Sequence, residues 1–307
     1  MAKLEVVTAE RSQWERLILD YEAAAQARGL SFRTVEHYSD VLRRVLLRWC
    51  AEHELEPVNL AKRDLERLSV ELQGRGLSRQ SVRTYLAAIN HFLAWCGREG
   101  EMTAVKAPTP KPERVLIDVL SRPEIDALEA AATTERDKLL VRVLADTGIR
   151  LGELRRLRVT DLVAQGRERY IRVQGKGARE RLVPVMPGLY TRLERFVRRT
   201  RPESASEAMF TTLVRGKSGD YDPISEESVQ HLFRSLGRKA GIAKRVYPHL
   251  LRHSYATHLL RKGVNPIQAK DILGHSSLAM LDRVYSHLAP ADAYMAALRA
   301  LQGSDDE

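Results

Sequence analysis

Three prolines at alternate positions, in Ala107-Pro108-Thr109-Pro110-Lys111-Pro112, most constrain what this chain can become. Proline fixes φ and has no backbone N–H. Such a run is therefore stiff and extended, and belongs neither inside a helix nor in a central strand. It separates two stretches that are each of ordinary domain size. We read residues 1–105 as one domain, 106–116 as a Pro-rich linker and 117–307 as a second domain.

The first stretch reads as four helices. Trp14, Leu17, Ile18 and Tyr21 fall at helical spacing. Ser31 can cap a long second helix carrying Val35, Tyr38, Val41, Leu42, Val45, Leu46 and Trp49. A third runs over about 61–73 and stops at Gly74-Arg75-Gly76. Ser78 caps a fourth, with Val82, Tyr85, Leu86, Ile89, Phe92 and Leu93 on its apolar face. Four helices in this length make a compact bundle.

The second stretch opens with a helix after Ser121-Arg122-Pro123-Glu124, where the proline suits the first turn. A buried helix over 136–146 is broken by Thr147-Gly148. Arg169 to Gln174 and Arg181 to Val185 alternate in polarity around Gly175-Lys176-Gly177, which predicts a hairpin. The remainder reads as helices over about 188–200, 225–240, 248–262, 266–273, 277–284 and 291–301. The expected fold class is mainly α, with a small antiparallel β-sheet in the second domain.

Residues 1–20 carry charges throughout and lack the apolar segment of a signal peptide. No apolar stretch approaches the ~18 residues that span a bilayer. Cys50 and Cys96 stand beside Trp49 and Trp95, as buried thiols of a cytoplasmic protein would, and two cysteines do not make a four-ligand zinc site. Residues 1–105 hold 15 of the 50 lysines and arginines and 15 of the 40 acids, so the whole excess of +10 lies in residues 106–307. A basic second domain implies an anionic partner, most commonly nucleic acid.

Chemistry-bearing residues also concentrate there. Pro248-His249-Leu250-Leu251-Arg252-His253 is followed by Leu273-Gly274-His275-Ser276 and then Asp282-Arg283-Val284-Tyr285. His249 and Arg252 are three apart and share a helix face. A further arginine stands in Thr147-Gly148-Ile149-Arg150-Leu151-Gly152-Glu153-Leu154. Cleaving a phosphodiester requires charge stabilisation on the non-bridging oxygens, a deprotonated nucleophile and a protonated leaving group. Arginine meets the first need with a planar fork that keeps its charge. A tyrosine, with an ordinary pKa near ~10, becomes a nucleophile once cations or a base assist it. Lys176, on a glycine-flanked turn, can reach a leaving oxygen.

Five segments in order resemble those of the tyrosine recombinases, the phage-integrase-type family, and the length and layout resemble its Xer-like branch. They are the Arg150 segment, Gly175-Lys176-Gly177 with Arg179 and Arg181, His249-Leu250-Leu251-Arg252, Leu273-Gly274-His275-Ser276, and Val284-Tyr285-Ser286-His287. From Arg150 to Arg252 is 102 residues, from Arg252 to His275 is 23, and from His275 to Tyr285 is 10. The resemblance implies a SAM-like core-binding domain, a linker and a catalytic domain ending in a helix that docks on a neighbouring subunit. It implies Tyr285 as nucleophile, Arg150, Arg252 and His275 on the phosphate, His249 assisting proton transfer and Lys176 as the acid. Glu153 supports the site, and Arg179 and Arg181 are DNA-binding candidates. The implied partner is double-stranded DNA. The implied assembly on paired sites is a homotetramer, or a heterotetramer with a related recombinase, with neither cofactor nor metal nor membrane. Two alternatives share the pattern: a type IB topoisomerase, and a DNA-binding protein on a recombinase scaffold without activity.

Overall fold

The computed structural model describes residues 2–56, 59–112, 118–175 and 180–274, the side chains of 2–13 excepted. The chain divides into two compact units, Met1–Val115 and Leu116–Glu307.

The first unit is helical. Helix α1 (Ala2–Ala27) buries Trp14, Ile18, Tyr21 and Ala25 along one stripe. Helix α2 (Phe32–Val41) starts at Ser31, whose Oγ accepts the Thr34 N–H at 3.2 Å. It runs through a widened π segment (Leu42–Leu47) into α3 (Arg48–Glu52), so the expected long helix forms with a local change of pitch. Helix α4 (Lys62–Gly74) is followed by α5 (Arg79–Glu99), capped by Ser78. Tyr21 packs edge-on against Phe92 and Trp95, with ring centroids 5.3 and 5.6 Å apart. The thiols of Cys50 and Cys96 are free and buried, and burial pushes both up to about 12.

The start of the proline run is bound down on this unit. Ala107 is buried and exchanges two hydrogen bonds with the Asn90 side chain, at 2.7 and 3.0 Å. The Ser69 hydroxyl donates to the Pro108 carbonyl and Arg83 donates to the Pro110 carbonyl. Carbonyls left unpaired within a run that makes no helix thus find partners on α4 and α5.

In the second unit, Ser121 and Glu124 form a capping box at the start of α6 (Arg122–Ala131). Helix α7 (Glu135–Thr147) is apolar on most sides, with Leu139, Leu140, Val141, Val143 and Leu144 fully buried. That makes it the central helix, and it packs on α6, on α9 (Pro187–Arg195) and on α11 (Pro248–Arg261). After the short α8 (Leu151–Arg156) comes an antiparallel sheet of β1 (Leu162–Gln165), β2 (Glu168–Gln174) and β3 (Glu180–Pro184), in that spatial order. The sheet has one strand more than the expected hairpin. Its register sets Ile171 opposite Val183 and Val173 opposite Arg181. Helices α10 (Glu226–Lys239) and α12 (Pro266–Leu273) complete the described part. No helix among the described residues is long and apolar enough to cross a membrane. The expected helices over 277–284 and 291–301 lie outside the described residues.

Candidate active site

The site begins where two helices end. Helix α7 stops at Gly148 (φ +62°) and α12 at Gly274 (φ +66°), both in the left-handed conformation that glycine adopts without strain. Space demands glycine as well. A Cβ on Gly148 would lie 2.4 Å from the Tyr255 ring and 2.8 Å from a Leu273 methyl. One on Gly274 would lie 2.7 Å from the Arg181 guanidinium carbon. The two helix ends are therefore pressed against α11 and β3 as closely as backbone allows.

The last carbonyls of α12 have no partner within their own helix, and they carry the negative end of its dipole. Three arginines from three different elements converge on them. Arg181 of β3 donates from Nε to Ile272 O (3.1 Å) and from Nη2 to Leu273 O (3.1 Å). Arg252 of α11 donates from Nη2 to Leu273 O (2.8 Å) and from Nη1 to Gly148 O (2.5 Å). Arg150, the residue before α8, donates from Nη2 to Gly274 O (2.7 Å).

A single carboxylate sits among them. Glu153 is 2% exposed and reaches back to the Arg150 N–H at 2.8 Å, closing the start of α8. Its oxygens also accept a fork from Arg181, both arms at 2.9 Å, and one bond from Arg150 Nη1 at 3.0 Å. Burial alone would raise its pKa. The Arg181 fork and the Arg150 N–H overcome that and hold it below the ordinary carboxylate value.

Arg252 has the opposite problem. Burial, and then the neighbouring Arg150 cation, push its guanidinium down to about 9. Among the described residues the site thus holds three cations against one anion. Pro248, at the start of α11, and the buried pair Leu250 and Leu251 set the helix so that Arg252 points inward. His249, one turn earlier, reaches solvent. Partial burial, then Arg252 and Arg150, lower its pKa, so the neutral ring that accepts a proton prevails at neutral pH.

A guanidinium has five N–H donors. Among the described residues Arg181 makes four hydrogen bonds, whereas the Arg150 and Arg252 side chains make two each. Arg150 and Arg252 therefore keep the capacity to grip an oxyanion, and the local excess of positive charge favours one.

The profile described as "Phage integrase family" matches residues 118–292, more than half of the chain, and that of the "Phage integrase, N-terminal SAM-like domain" matches residues 20–100. The chain belongs to the phage integrase family. Within it, the chain stands on the Xer-like branch of the tyrosine recombinases. It is 29% identical over 288 residues to the tyrosine recombinase XerD of Staphylococcus aureus (strain Mu50), covering 90% of this chain and 95% of that one. It is 28% identical over 274 residues to the XerD of Listeria monocytogenes serotype 4b, covering 85% and 90%. Two solved structures share the fold. A XerH site-specific recombinase bound to palindromic difH substrate has a TM-score of 0.69 at 20% identity, covering 88% of this chain and 81% of that one. A lambda integrase tetramer bound to a Holliday junction has 0.69 at 17% identity, covering 88% and 76%.

Of the integrase-type residues expected from the sequence, Arg150, Glu153 and Arg252 meet in one cluster, with His249 on the adjacent turn. Lys176, Arg179, His275 and Tyr285 lie outside the described residues. Arg181 differs from its expected place. The sequence makes it a DNA-binding candidate, but its guanidinium is turned inward and nearly all its donors go to Glu153 and α12. Tyr255, on α11 beside the cluster, packs against Gly148, and burial raises its pKa. Gly148 and Gly274 are site residues that the motif pattern alone does not single out. The signal was present, since each stands where an apolar helix must stop beside a motif arginine or histidine.

Proposed function

We propose that this chain is a site-specific recombinase that cuts and rejoins duplex DNA through a 3′-phosphotyrosyl link. The observation that carries the reading is the cluster of three arginines around one carboxylate, in which Arg150 and Arg252 keep donors without a partner among the described residues. A phosphodiester brings a negative charge and two non-bridging oxygens, which is what the cluster lacks. The phenolic oxygen of Tyr285 attacks the phosphorus, and its proton passes to a base, with neutral His249 suited to receive it. The bond from phosphorus to O5′ breaks, and Lys176 protonates the departing oxygen. Arg150, Arg252 and His275 stabilise the charge that grows between these events. Rejoining reverses the order: a 5′-hydroxyl attacks, the tyrosyl–phosphorus bond breaks and the phenol recovers its proton. One phosphodiester is exchanged for another, so the step consumes no ATP and needs no metal.

The XerD relatives match along 85% or more of this chain, which favours a recombinase over a topoisomerase or a scaffold without activity. By the same reasoning the chain works in the cytoplasm on double-stranded DNA. Four copies would assemble on two sites, with residues 291–301 of each chain docking on its neighbour. Native mass measurement of the paired complex, with and without residues 290–307, tests that assembly. A truncated chain that pairs sites normally would refute the docking.

The activity test uses a pool of centrally nicked duplexes of random sequence, incubated with the purified protein in EDTA and resolved on a denaturing gel. The expected result is a covalent protein–DNA adduct that vanishes in Tyr285→Phe, which keeps the ring and removes the nucleophile. An adduct surviving in that variant would assign the nucleophile elsewhere, and dependence on a divalent metal would overturn the mechanism.

A further inference from the structure

The β2–β3 hairpin would deliver Lys176 to the leaving oxygen, yet the arginines that would hold the phosphate come from α8 and α11. Something must fix the hairpin relative to them. On β3, the residues that point inward are 181 and 183: Val183 is fully buried, while the intervening Leu182 is 39% exposed. Arg181 therefore occupies a core position of the strand, directly opposite the buried Val173 of β2. Its side chain is 17% exposed. From there it makes a two-armed bond to Glu153 and two bonds to the carbonyls of Ile272 and Leu273, the end of α12.

Two of these partners also serve a phosphate-facing arginine. Glu153 holds Arg150 through both the backbone and the guanidinium. Leu273 O accepts from Arg252 as well as from Arg181. Gly274 leaves room for the Arg181 guanidinium, and its carbonyl takes Arg150. A core-facing arginine is costly unless every donor is used, and here four bonds occupy it. Lysine in its place has no planar fork and could not grip a carboxylate and two carbonyls together.

We infer that Arg181 is a positioning residue for strand cleavage: it locks the lysine-bearing hairpin to the Glu153 carboxylate and to the end of α12, and so sets the spacing between the acid and the two arginines. The inference rests on the recombinase reading above, and it assigns Arg181 no contact with DNA.

The test compares wild type, Arg181→Gln, Arg181→Lys, Glu153→Gln and the double variant Arg181→Gln with Glu153→Gln. The probe is the nicked duplex recovered from the random pool as covalent adduct with the wild-type chain. Binding is measured across a salt series and cleavage in a single turnover. Arg181→Gln should cleave about 10²-fold more slowly while binding with unchanged affinity and unchanged salt slope. Arg181→Lys should recover little of the rate. The double variant should be no slower than the worse single variant, because both changes break one joint. A scaffold defect alone would lower affinity along with rate and would add to the Glu153 change.

A salt slope reduced by about one in Arg181→Gln would mean that Arg181 contacts a phosphate, and the inference would fall. Wild-type cleavage rates in a folded Arg181→Gln, or in Arg181→Lys should the glutamine variant not fold, would also overturn it while leaving the recombinase reading in place. Failure of the wild-type chain to form any adduct would bring down that reading, and the inference with it.

Discussion

Two arginine clusters in the second unit are built from the same side chains and have opposite characters. On the faces of α6, α7 and α9, Arg142 bonds Asp126 at 2.6 Å and also Glu129. Arg192 bonds Glu135 at 2.6 Å and shares Glu129. With Arg122, which pairs with Asp126 and Asp146, three cations meet four carboxylates. Burial works against the Arg142 charge, but Asp126 and Glu129 outweigh it and its pKa rises. At the ends of α7 and α12, three cations meet one carboxylate, and the Arg252 pKa falls instead. The first cluster carries carboxylates enough to match its arginines, even though Arg142 Nη1 is buried with no hydrogen-bond partner among the described residues. Among the described residues the second is left short of negative charge: Arg252 rests on carbonyl oxygens alone, and Arg150 shares the one carboxylate, Glu153, with Arg181. Arrangement, rather than burial or residue type, separates a cluster that stabilises the fold from one prepared for an anion.

Substitutions that cross the two clusters test this contrast. The largest effect is expected at Arg252. Arg252→Lys keeps the charge and loses the fork, so single-turnover cleavage of the nicked duplex should fall by about 10²–10³-fold. The variant should still fold, with a lowered melting temperature, because Arg252 also ties Gly148 O to Leu273 O. A variant that cleaves near the wild-type rate would show that the cluster does not grip the phosphate.

A smaller effect of the opposite kind is expected at Arg142. Arg142→Met keeps the aliphatic packing and removes two charged hydrogen bonds, so urea unfolding should show a loss of about 1.5–3 kcal/mol. Cleavage by the folded fraction should be unchanged. A rate loss without a stability loss would put the two clusters in one functional unit and erase the distinction.

The smallest effect concerns pH. The folded pKa of His249 lies below its ordinary 6.5, so the neutral base persists through pH 6.5 and is lost as pH falls through that lowered value. The pKa of Glu129 is also depressed, against the opposing effect of burial, by Arg192 and Arg142. Its contribution to stability is present above the ordinary carboxylate value of 4.5 and is lost only as pH falls through the still lower folded value. As pH falls below 6.5, cleavage should therefore decline, with a modest fall in the unfolding midpoint, because His249, like His91 and His258, binds its proton more readily in the unfolded chain. A cleavage loss that appears only where the folded state itself is lost would indicate general acid unfolding.

Much of this was legible in the sequence because it rests on local rules. Ser31, Ser78 and Ser121 cap the helices they announce, and apolar spacing marks the buried stripes of α1 and α5. Arg150 and Arg252 were legible as a pair through their motifs. What stayed hidden depends on contacts distant in sequence. Strand β1 is a four-residue stretch whose last two residues are exposed, so it carries no alternation to read. The place of Arg181 was hidden by its charge. The alternation that predicted β3 already put residue 181 in phase with Val183 and Val185, on the inward face. An inward arginine makes sense only once Glu153 and the end of α12, which lie 28 and about 90 residues away, are known to meet it.

The convergence of three arginines on the last carbonyls of α12 also governs how that helix can vary. The anchor points are main-chain oxygens, which every residue type presents alike. Exchanging one exposed side chain of α12 for another, at Ile267 for instance, leaves all three grips in place. Removing or adding one residue does not, because each step along a helix turns the backbone by about 100° and moves it about 1.5 Å. A single deletion would carry the carbonyls of residues 272–274 away from Arg150, Arg181 and Arg252 together. The helix is thus tolerant of spelling and intolerant of length, a constraint that belongs to an inherited frame rather than to any one letter within it.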